Sequence, residues 1–224
     1  MEKSCDEMEK RKNVLVASGI CKCYHKREVL KDVSLTVTAG SCAGIVGSNG
    51  CGKTTLLSVL AGALKADRGQ ICLTGGVAYV PQENPLIEEL SVRDNLLLWY
   101  RGDKRSMERD LKTGTAALLG IDKMLNQTVN KLSGGMKKRL SIACALADHA
   151  PLLILDEPGA ALDMECKADI RHYLKEYMAA GGAVVLTSHE LAELSVCSVV
   201  YVLKNGCLTA VEGSLSEEEL TKRF

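Results

Sequence analysis

Four apolar runs of strand length alternate with helix-like segments along the chain. The runs occupy residues 42–46, 77–80, 152–155 and 183–186. Continuous apolar runs of this length are typical of strands that are buried on both faces of a parallel sheet, with helices covering the sheet. The pattern therefore predicts an α/β fold, in which a mainly parallel sheet is flanked by helices.

Each run is followed closely by a group that can handle phosphate, metal ions or protons. Gly47 opens a glycine-rich turn, Gln82 follows the second run, Asp156 and Glu157 follow the third, and His189 follows the fourth. Ligands of open parallel sheets bind beyond the carboxyl ends of the strands. If the four strands are neighbours, we expect these groups to converge at one edge of the sheet.

The segment from about residue 85 to residue 131 has helix and turn signals but no strand-like run. Leucines give it an apolar face, namely Leu96, Leu97, Leu118, Leu119 and Leu125. We interpret residues 85–145, approximately, as a helical subdomain inserted into one sheet domain that spans residues 14–224. The charged residues 1–13 are expected to be poorly ordered.

Composition narrows the choice of function. The 224 residues include 28 basic and 28 acidic side chains, so the balance lacks the basic excess of a nucleic-acid binder, and no nucleic acid partner is expected. No apolar run approaches the roughly 18 residues that a membrane span needs, and the start lacks the apolar stretch of a signal peptide. We expect a cytoplasmic chain. Its ten cysteines form no paired CxxC pattern, which favours reduced structural thiols over a metal site.

Residues 47–54, with the sequence GSNGCGKT, match the phosphate-loop pattern GxxxxGK[ST] between a strand-like run and a helix closed by Gly62. Glycines let backbone amides turn towards an anion, and the helix N-terminus adds its dipole. Lysine supplies charge to the β- and γ-phosphates, and threonine ligates magnesium. The predicted nucleotide contacts are Gly47, Ser48, Asn49, Gly50, Cys51, Gly52, Lys53, Thr54 and Thr55.

Two further sites are less specific when taken alone. Asp156 ends an apolar strand and is suited to hold magnesium, and Glu157 can act as a general base on the attacking water. Leu132-Ser133-Gly134-Gly135-Met136 resembles a capped helix start, in which Ser133 is the cap and the glycines expose backbone amides. On its own it could equally be an ordinary junction between a loop and a helix.

Taken together and in this order, the motifs resemble the nucleotide-binding cassette of the ABC transporter superfamily. They are a Walker A loop (residues 47–54), a Q-loop glutamine (Gln82), a signature (residues 132–136), Walker B (residues 152–156) with Glu157, a D-loop (residues 160–163) and a switch histidine (His189). The resemblance covers nearly the whole chain. It implies a P-loop NTPase core with an antiparallel β portion near the N-terminus. With Met136, residues 133–139 are similar to cassettes of small two-component exporters.

The resemblance also implies a role for each matching residue. Tyr24 would stack on the adenine of ATP, Gln82 would contact magnesium and the attacking water, and Thr54 and Asp156 would complete the metal site. Glu157 would be the catalytic base, supported by His189, with Lys53 on the phosphates. Ser133, Gly134 and Gly135 would contact ATP held by a second cassette, so that two cassettes sandwich two ATP molecules.

Three questions stay open at this stage. The chain is expected to be the Mg²⁺-dependent ATPase of a membrane transporter, with export as the expected direction, bound to a separate permease at the cytoplasmic face of the membrane. A soluble relative such as an iron–sulfur assembly ATPase is the alternative. Trp99 and Tyr100 either pack in the core or help to dock the permease. Cys51 is either a small residue without a function or a redox-sensitive thiol, since a helix N-terminus favours the thiolate.

Overall fold

A computed structural model describes residues 12–211. Within them, nine strands and seven α-helices alternate. The strands are β1 (Asn13–Tyr24), β2 (Arg27–Thr38), β3 (Cys42–Val46), β4 (Arg68–Leu73), β5 (Val77–Val80), β6 (Leu152–Asp156), β7 (Ala183–Thr187), β8 (Val199–Lys204) and β9 (Cys207–Ala210). The helices are α1 (Lys53–Leu60), α2 (Val92–Trp99), α3 (Lys104–Thr113), α4 (Thr115–Leu118), α5 (Gly134–Ala145), α6 (Met164–Ala179) and α7 (Leu191–Leu194). Two 3₁₀ turns, Ile121–Met124 and Val129–Lys131, lie between α4 and α5.

The central sheet has the strand order β5-β6-β7-β3-β8-β9. The first five strands are parallel, and β9 returns antiparallel to β8. The four predicted strands β5, β6, β7 and β3 are therefore direct neighbours, as the pattern of apolar runs indicates. Because parallel strands run in one direction, their carboxyl ends meet along one edge.

The central strands β3, β6 and β7 are buried at every position, which explains their continuous apolar sequence. In β6, Leu152 and Ile154 belong to one hydrophobic cluster, whereas Leu153 and Leu155 belong to the other. Side chains alternate along a strand, so one apolar run serves two cores. One cluster contains apolar side chains of α2, α5 and α6, and the other contains those of α1 and the N-terminal strands.

A second, antiparallel sheet of three strands has the order β2-β1-β4. Its inward side chains, among them Leu15, Ile20 and Leu30, are fully buried against the central sheet and α1. The register of β1 shifts around Gly19, whose φ is 64°, so the apolar alternation of this strand is interrupted. The antiparallel portion near the N-terminus is confirmed.

Residues between Val80 and Leu152 form helices and turns, with no strand within this part of the described chain. Side-chain oxygens cap the helix starts: Ser91 caps α2, Asp103 caps α3 and Ser133 caps α5. This segment has the predicted helical character, and its limits of 85–145 remain a prediction. The predicted N-terminal segment 1–13 lies outside the described residues except for Lys12 and Asn13, the latter being the first residue of β1.

Candidate functional site

The loop of residues 47–54 connects β3 to α1 at the carboxyl edge of the sheet. Its Gly52 is the N-cap of α1 and has a φ of 113°, a conformation that side chains other than glycine rarely adopt. A Cβ atom there would also lie 2.8 Å from Val29 Cγ1. No side chain caps α1, so its first amides are left to bind an anion.

Lys53 begins α1 and is only 6% exposed. Its Nζ donates to the carbonyl oxygen of Gly47 at 2.8 Å, and it lies 3.1 Å from His189 Nε2 and 3.9 Å from Glu157 Oε1. A cation in this position, beside the amides of the α1 terminus, forms a strongly positive site for a phosphate group.

Asp156, at the end of β6, is almost completely buried and accepts two hydrogen bonds from hydroxyl groups. Thr54 Oγ1 donates to its Oδ2 at 2.7 Å, and Thr187 Oγ1 donates to its Oδ1 at 2.7 Å. The Thr187 oxygen in turn accepts the backbone N–H of Glu157 at 2.9 Å. One threonine therefore fixes both members of the acidic pair.

The donor atoms at Thr54 and Asp156 suit Mg²⁺, which prefers oxygen ligands. Within residues 12–211, no cluster of three or more His, Cys, Asp or Glu side chains could hold a metal ion by itself. Magnesium usually takes one or two protein oxygens, together with water and substrate phosphates, rather than an all-protein cage. A hydroxyl and a carboxylate next to a phosphate loop match that kind of site.

Glu157 follows β6 directly and has a φ of 47°, an uncommon backbone conformation for a residue other than glycine. This backbone turns its carboxylate towards the loop residues on the neighbouring strands. Oε1 lies 3.3 Å from His189 Nε2, and Oε2 accepts from Gln82 Nε2 at 3.4 Å. The groups that follow three different strands thus surround one carboxylate.

Whether Nε2 of His189 carries a proton determines which of its two neighbours, Lys53 or Glu157, it can hydrogen-bond. Lysine has only donors, so Nε2 can accept from Lys53 only when that nitrogen carries no proton. When Nε2 is protonated, it can donate to Glu157 instead. The imidazole is thus placed between a cation and a carboxylate, where it can exchange one hydrogen bond for the other.

A cavity of about 460 Å³ opens beside these groups. Its lining combines the phosphate loop with residues that follow β5 and β6 and with residues of the antiparallel sheet. It consists of Tyr24, Arg27, Val29, Asn49, Gly50, Gly52, Lys53, Thr54, Thr55, Gln82 and Glu157. Tyr24 is 45% exposed, so part of its side chain remains accessible. Ser48 and Cys51 border a neighbouring cavity of about 590 Å³.

The predicted signature residues lie apart from this cavity. Ser133 caps α5 by accepting the N–H of Met136 at 3.3 Å, as predicted. Gly135 packs tightly on α6, since a Cβ atom there would lie 2.1 Å from Cys166 Sγ. Neither these residues nor Gly134 lines the cavity that contains Lys53. Within one copy, the site residues therefore form two separate groups.

The structure also adds residues that sequence reasoning missed. Thr187 is fully buried next to Asp156, and Arg27 and Val29 line the cavity. Lys138 on α5 is 3% exposed. Its ammonium group donates hydrogen bonds to the backbone carbonyl oxygens of Pro81 and Gln82. Thr187 could have been found from its hydroxyl at the end of an apolar strand, two residues before His189. The charged run 137–139 gave no sign that Lys138 is its buried member.

Lys138 and Glu193 are among the buried ionisable groups whose pKa values are shifted. Burial lowers the pKa of the Lys138 ammonium, and attraction to Asp156 opposes that shift. Burial raises the pKa of the Glu193 carboxyl, while a hydrogen bond from Ser188 acts in the opposite direction. Glu193 also fills the space beside Gly159, where a Cβ atom would lie 1.6 Å from Glu193 Oε1.

Comparisons with known proteins place these features in a wider group. A family model described as "ABC transporter" matches residues 30–160. The lipopolysaccharide export system ATP-binding protein LptB of Escherichia coli strain K12 is 34% identical over 214 residues, which cover 88% of this chain and 89% of LptB. The Fe(3+) ions import ATP-binding protein FbpC of Mesorhizobium japonicum is 36% identical over 216 residues, covering 88% of this chain and 59% of FbpC.

A solved structure has the same fold. The ADP conformation of MJ1267, an ATP-binding cassette of an ABC transporter, aligns with a TM-score of 0.79 at 26% identity and covers 94% of each chain. Within residues 12–211, no helix is both long enough and apolar enough to span a membrane.

Proposed function

This chain belongs to the ABC transporter family of ATP-binding subunits, and on that premise we propose that it is the Mg²⁺-dependent ATPase of a membrane transporter. In our proposal it acts at the cytoplasmic face, bound to a separate permease. We favour export, because residues 133–139 resemble those of small two-component exporters and because LptB is named as part of an export system. The permease would select the substrate.

The observation that carries this proposal is the convergence at the sheet edge. Lys53, the adjacent pair Asp156–Glu157 and His189 come from distant parts of the sequence. Hydrogen bonds and ion-pair distances nevertheless join them, together with the hydroxyls of Thr54 and Thr187, in one network. Phosphoryl transfer needs little covalent chemistry from a protein and depends on positioning and electrostatic stabilisation. A phosphate cradle next to an oriented carboxylate provides both.

The phosphate end of ATP would lie on the α1 terminus, with Lys53 against the β- and γ-phosphates. Thr54 and Asp156 would hold Mg²⁺, which supplies positive charge to the phosphate oxygens. Tyr24, accessible at the cavity rim, would stack on the adenine. Gln82 is exposed and close to Glu157, so it can orient water beside the γ-phosphate.

Glu157 would accept a proton from the attacking water. Its carboxylate is held by Gln82 on one oxygen and lies beside His189 at the other, and its backbone is fixed through Thr187. His189 would turn from Lys53 to Glu157 as its proton changes position. This geometry places the base beside Lys53 without a direct hydrogen bond between them, since Lys53 Nζ lies 3.9 Å from Glu157 Oε1.

A second copy or a related cassette would complete the site. One copy has a single phosphate loop, and its Ser133-Gly134-Gly135 turn lies outside the cavity that this loop lines. We therefore propose that the turn of one cassette covers ATP bound by the other. ATP binding would close the pair, and hydrolysis would release it.

The helical segment offers a surface for the permease. Leu98 is 55% exposed and Trp99 39% exposed at the end of α2, whereas Tyr100 is buried and donates to Asp110 at 2.6 Å. Of the two aromatic residues in question, Tyr100 thus packs in the core and Trp99 remains available. We propose that Leu98 and Trp99 contribute to the permease contact, which a soluble ATPase would not need.

The direct test is Glu157→Gln in the full-length chain. We expect it to bind ATP, to accumulate as a closed dimer on gel filtration and to lose turnover by about 10²–10⁴-fold, the usual contribution of a general base. Glu176→Gln, the same change at an exposed carboxylate on α6, is the matched control and should behave as wild type. Wild-type turnover that is unaffected by EDTA would contradict magnesium dependence, and a Glu157→Gln enzyme at the wild-type rate would remove the assignment of the base.

A further inference from the structure

Two side chains of helix α5, one turn apart, form hydrogen bonds with the Q-loop segment 81–84. Lys138 Nζ donates to the carbonyl oxygens of Pro81 at 3.2 Å and Gln82 at 3.0 Å. Ser141 Oγ lies 3.1 Å from Asn84 Oδ1. Residues three apart lie on one face of a helix, so this face of α5 is shaped to bind the segment 81–84.

The position of Lys138 is unusual for a lysine. A buried ammonium costs free energy unless its hydrogens are satisfied, and it normally pairs with a carboxylate. Among residues 12–211, no carboxylate lies within 4.0 Å of Lys138 Nζ, and its contacts are backbone carbonyls. The ammonium charge therefore strengthens the hydrogen bonds to the loop carbonyls, because charge-assisted hydrogen bonds are stronger than neutral ones.

This contact links two parts of the site that otherwise lie apart. The N-terminus of α5 carries Ser133 and Gly135, whereas the loop held by Lys138 carries Gln82, whose side chain reaches Glu157. A helix moves as a rigid element, so a displacement of the Ser133 turn also displaces Lys138. The loop backbone would follow through its two hydrogen bonds.

We propose that Lys138 is a positioning residue that ties Gln82 to helix α5, so that the position of the Ser133 turn sets the position of Gln82 at the catalytic carboxylate. This inference rests on the proposed function. A cassette that engages ATP across the dimer would thereby adjust the water-orienting glutamine of its own site. Lys138 does not touch the nucleotide, so it affects hydrolysis and leaves ATP binding by the Lys53 loop unchanged.

The test compares Lys138→Met, which keeps the length of the side chain and removes the donors, with Lys138→Arg, which keeps the donors. We expect kcat of the full-length chain to fall about tenfold in Lys138→Met, the order expected for a lost charge-assisted hydrogen bond, and to recover largely in Lys138→Arg. The Kd for ATP should stay unchanged in both. Hydrogen exchange of the backbone amides of residues 82–84 and of Leu86 should become faster in Lys138→Met.

Lys137→Met is the matched control, because it removes the same charge from the same helix. Lys137 pairs with Glu88 at 2.6 Å and makes no hydrogen bond to residues 81–84. Its kcat and its loop exchange should match those of wild type. Should Lys138→Met fail to fold, Lys138→Gln replaces it, since the shorter amide cannot reach both carbonyls.

A double-mutant comparison separates positioning from general packing. If Lys138 acts through Gln82, adding Lys138→Met to Gln82→Ala should change kcat by less than about twofold. An equal fall of kcat in both backgrounds, or wild-type exchange of the amides of residues 82–84 and Leu86, would overturn the proposal. Loss of turnover in Glu157→Gln shows separately that the ATPase assignment holds, so a failure of the Lys138 proposal and a failure of that assignment give different results.

Discussion

At the scale of single residues, one buried hydroxyl, that of Thr187, determines how the acidic pair is oriented. Thr187 donates to Asp156 and accepts from the Glu157 backbone, and it is fully buried. When one partner of a buried hydrogen bond is removed, the other is left buried without a partner. The loss of folding free energy then exceeds the net contribution of one hydrogen bond. Thr187 therefore matters for both stability and geometry.

Thr187→Val tests this role, because valine has nearly the same shape but no hydroxyl. It leaves an Asp156 oxygen and the Glu157 N–H without a partner, so we expect a loss of about 1–3 kcal/mol in the free energy of unfolding. Turnover should fall too, since both carboxylates lose a fixed orientation. Thr187→Ser keeps the hydroxyl and should retain most of both. Urea unfolding and steady-state ATPase assays provide the two measurements, and equal values for Val and Ser would contradict the role.

Glu193 is a second residue whose environment has a measurable consequence. Its carboxyl fills the space that a side chain at residue 159 would need, which explains why glycine stands there. Burial raises its pKa above the usual 4.5; the neighbouring Glu190 acts in the same direction, whereas Ser188, Lys167 and Arg171 lower it. The folded state thus holds this proton more tightly than the unfolded chain.

This raised pKa predicts how stability depends on pH. The contribution of Glu193 is fully present below its unfolded pKa and is lost as the pH rises through the folded pKa, because the folded state disfavours the charged form. Glu193→Gln removes this titration. Relative to wild type, the variant should therefore gain stability as the pH is raised from about 4.5, the reference value of the carboxyl. Urea unfolding of both proteins at several pH values measures the difference, and a difference that is constant or falls with pH would refute the prediction.

At the scale of elements, the junction of α5 with α6 places the Ser133 turn. The two helices touch at Gly135, where a Cβ atom would lie 2.1 Å from Cys166 Sγ and 2.8 Å from Cys166 Cβ. Close packing of this kind tolerates little added volume. The glycine therefore has a packing role beside the binding role that the motif suggests.

Gly135→Ala should push the helices apart and cost about 1–3 kcal/mol of unfolding free energy, as overpacking usually does. Cys166→Ala removes the nearest atom and should restore part of that loss in the double variant. Gly134→Ala is the matched control for stability, since its Cβ would meet Leu162 Cδ2 at an ordinary 3.5 Å. Thermal or urea unfolding of the four proteins gives the answer, and equal losses for Gly134→Ala and Gly135→Ala would argue against the contact.

Turn chemistry explains other elements equally well. Asn205 and Gly206 join β8 to β9 with φ angles of 53° and 84°, the positive values of a type I′ hairpin turn. An Asn-Gly pair between apolar runs is a strong hairpin signal. By contrast, β1 was foreseen only through the family resemblance, because its register shifts break the alternation that would have marked it.

At the scale of the whole molecule, the separation of Lys53 from the Ser133 turn makes the dimer testable. Lys53→Met disables the phosphate loop of one copy, and Ser133→Arg disables the turn. Each variant alone should be inactive, because both sites of its dimer lack one half. A mixed dimer has one intact site, composed of the loop from one copy and the turn from the other.

We expect equal mixing of the two inactive variants to restore activity to about a quarter of wild type, since random pairing makes half the dimers mixed and each has one of two sites intact. ATPase activity as a function of the mixing ratio measures this. The control is each variant mixed with itself at the same total concentration. If two folded variants restore nothing, two copies of this chain do not share sites.

The sequence alone determined the features that depend on neighbours along the chain. The glycines and Lys53 of the phosphate loop, the Ser133 cap and the four buried strands follow from local spacing, because capping, turn conformation and strand alternation act over a few residues. These features were enough to predict the fold class and most candidate site residues.

The tertiary structure decided which of these groups meet. The strand order brings Gln82 to Glu157 across 75 positions of sequence, and the packing of α5 brings Lys138 to Pro81 across 57. Whether a lysine in a charged run is buried, or a strand-end threonine reaches a carboxylate, depends on which elements pack together, and that is a property of the core rather than of local spacing. Long-range contacts form only when burial of the whole apolar surface compensates the entropy of closing the loops between them.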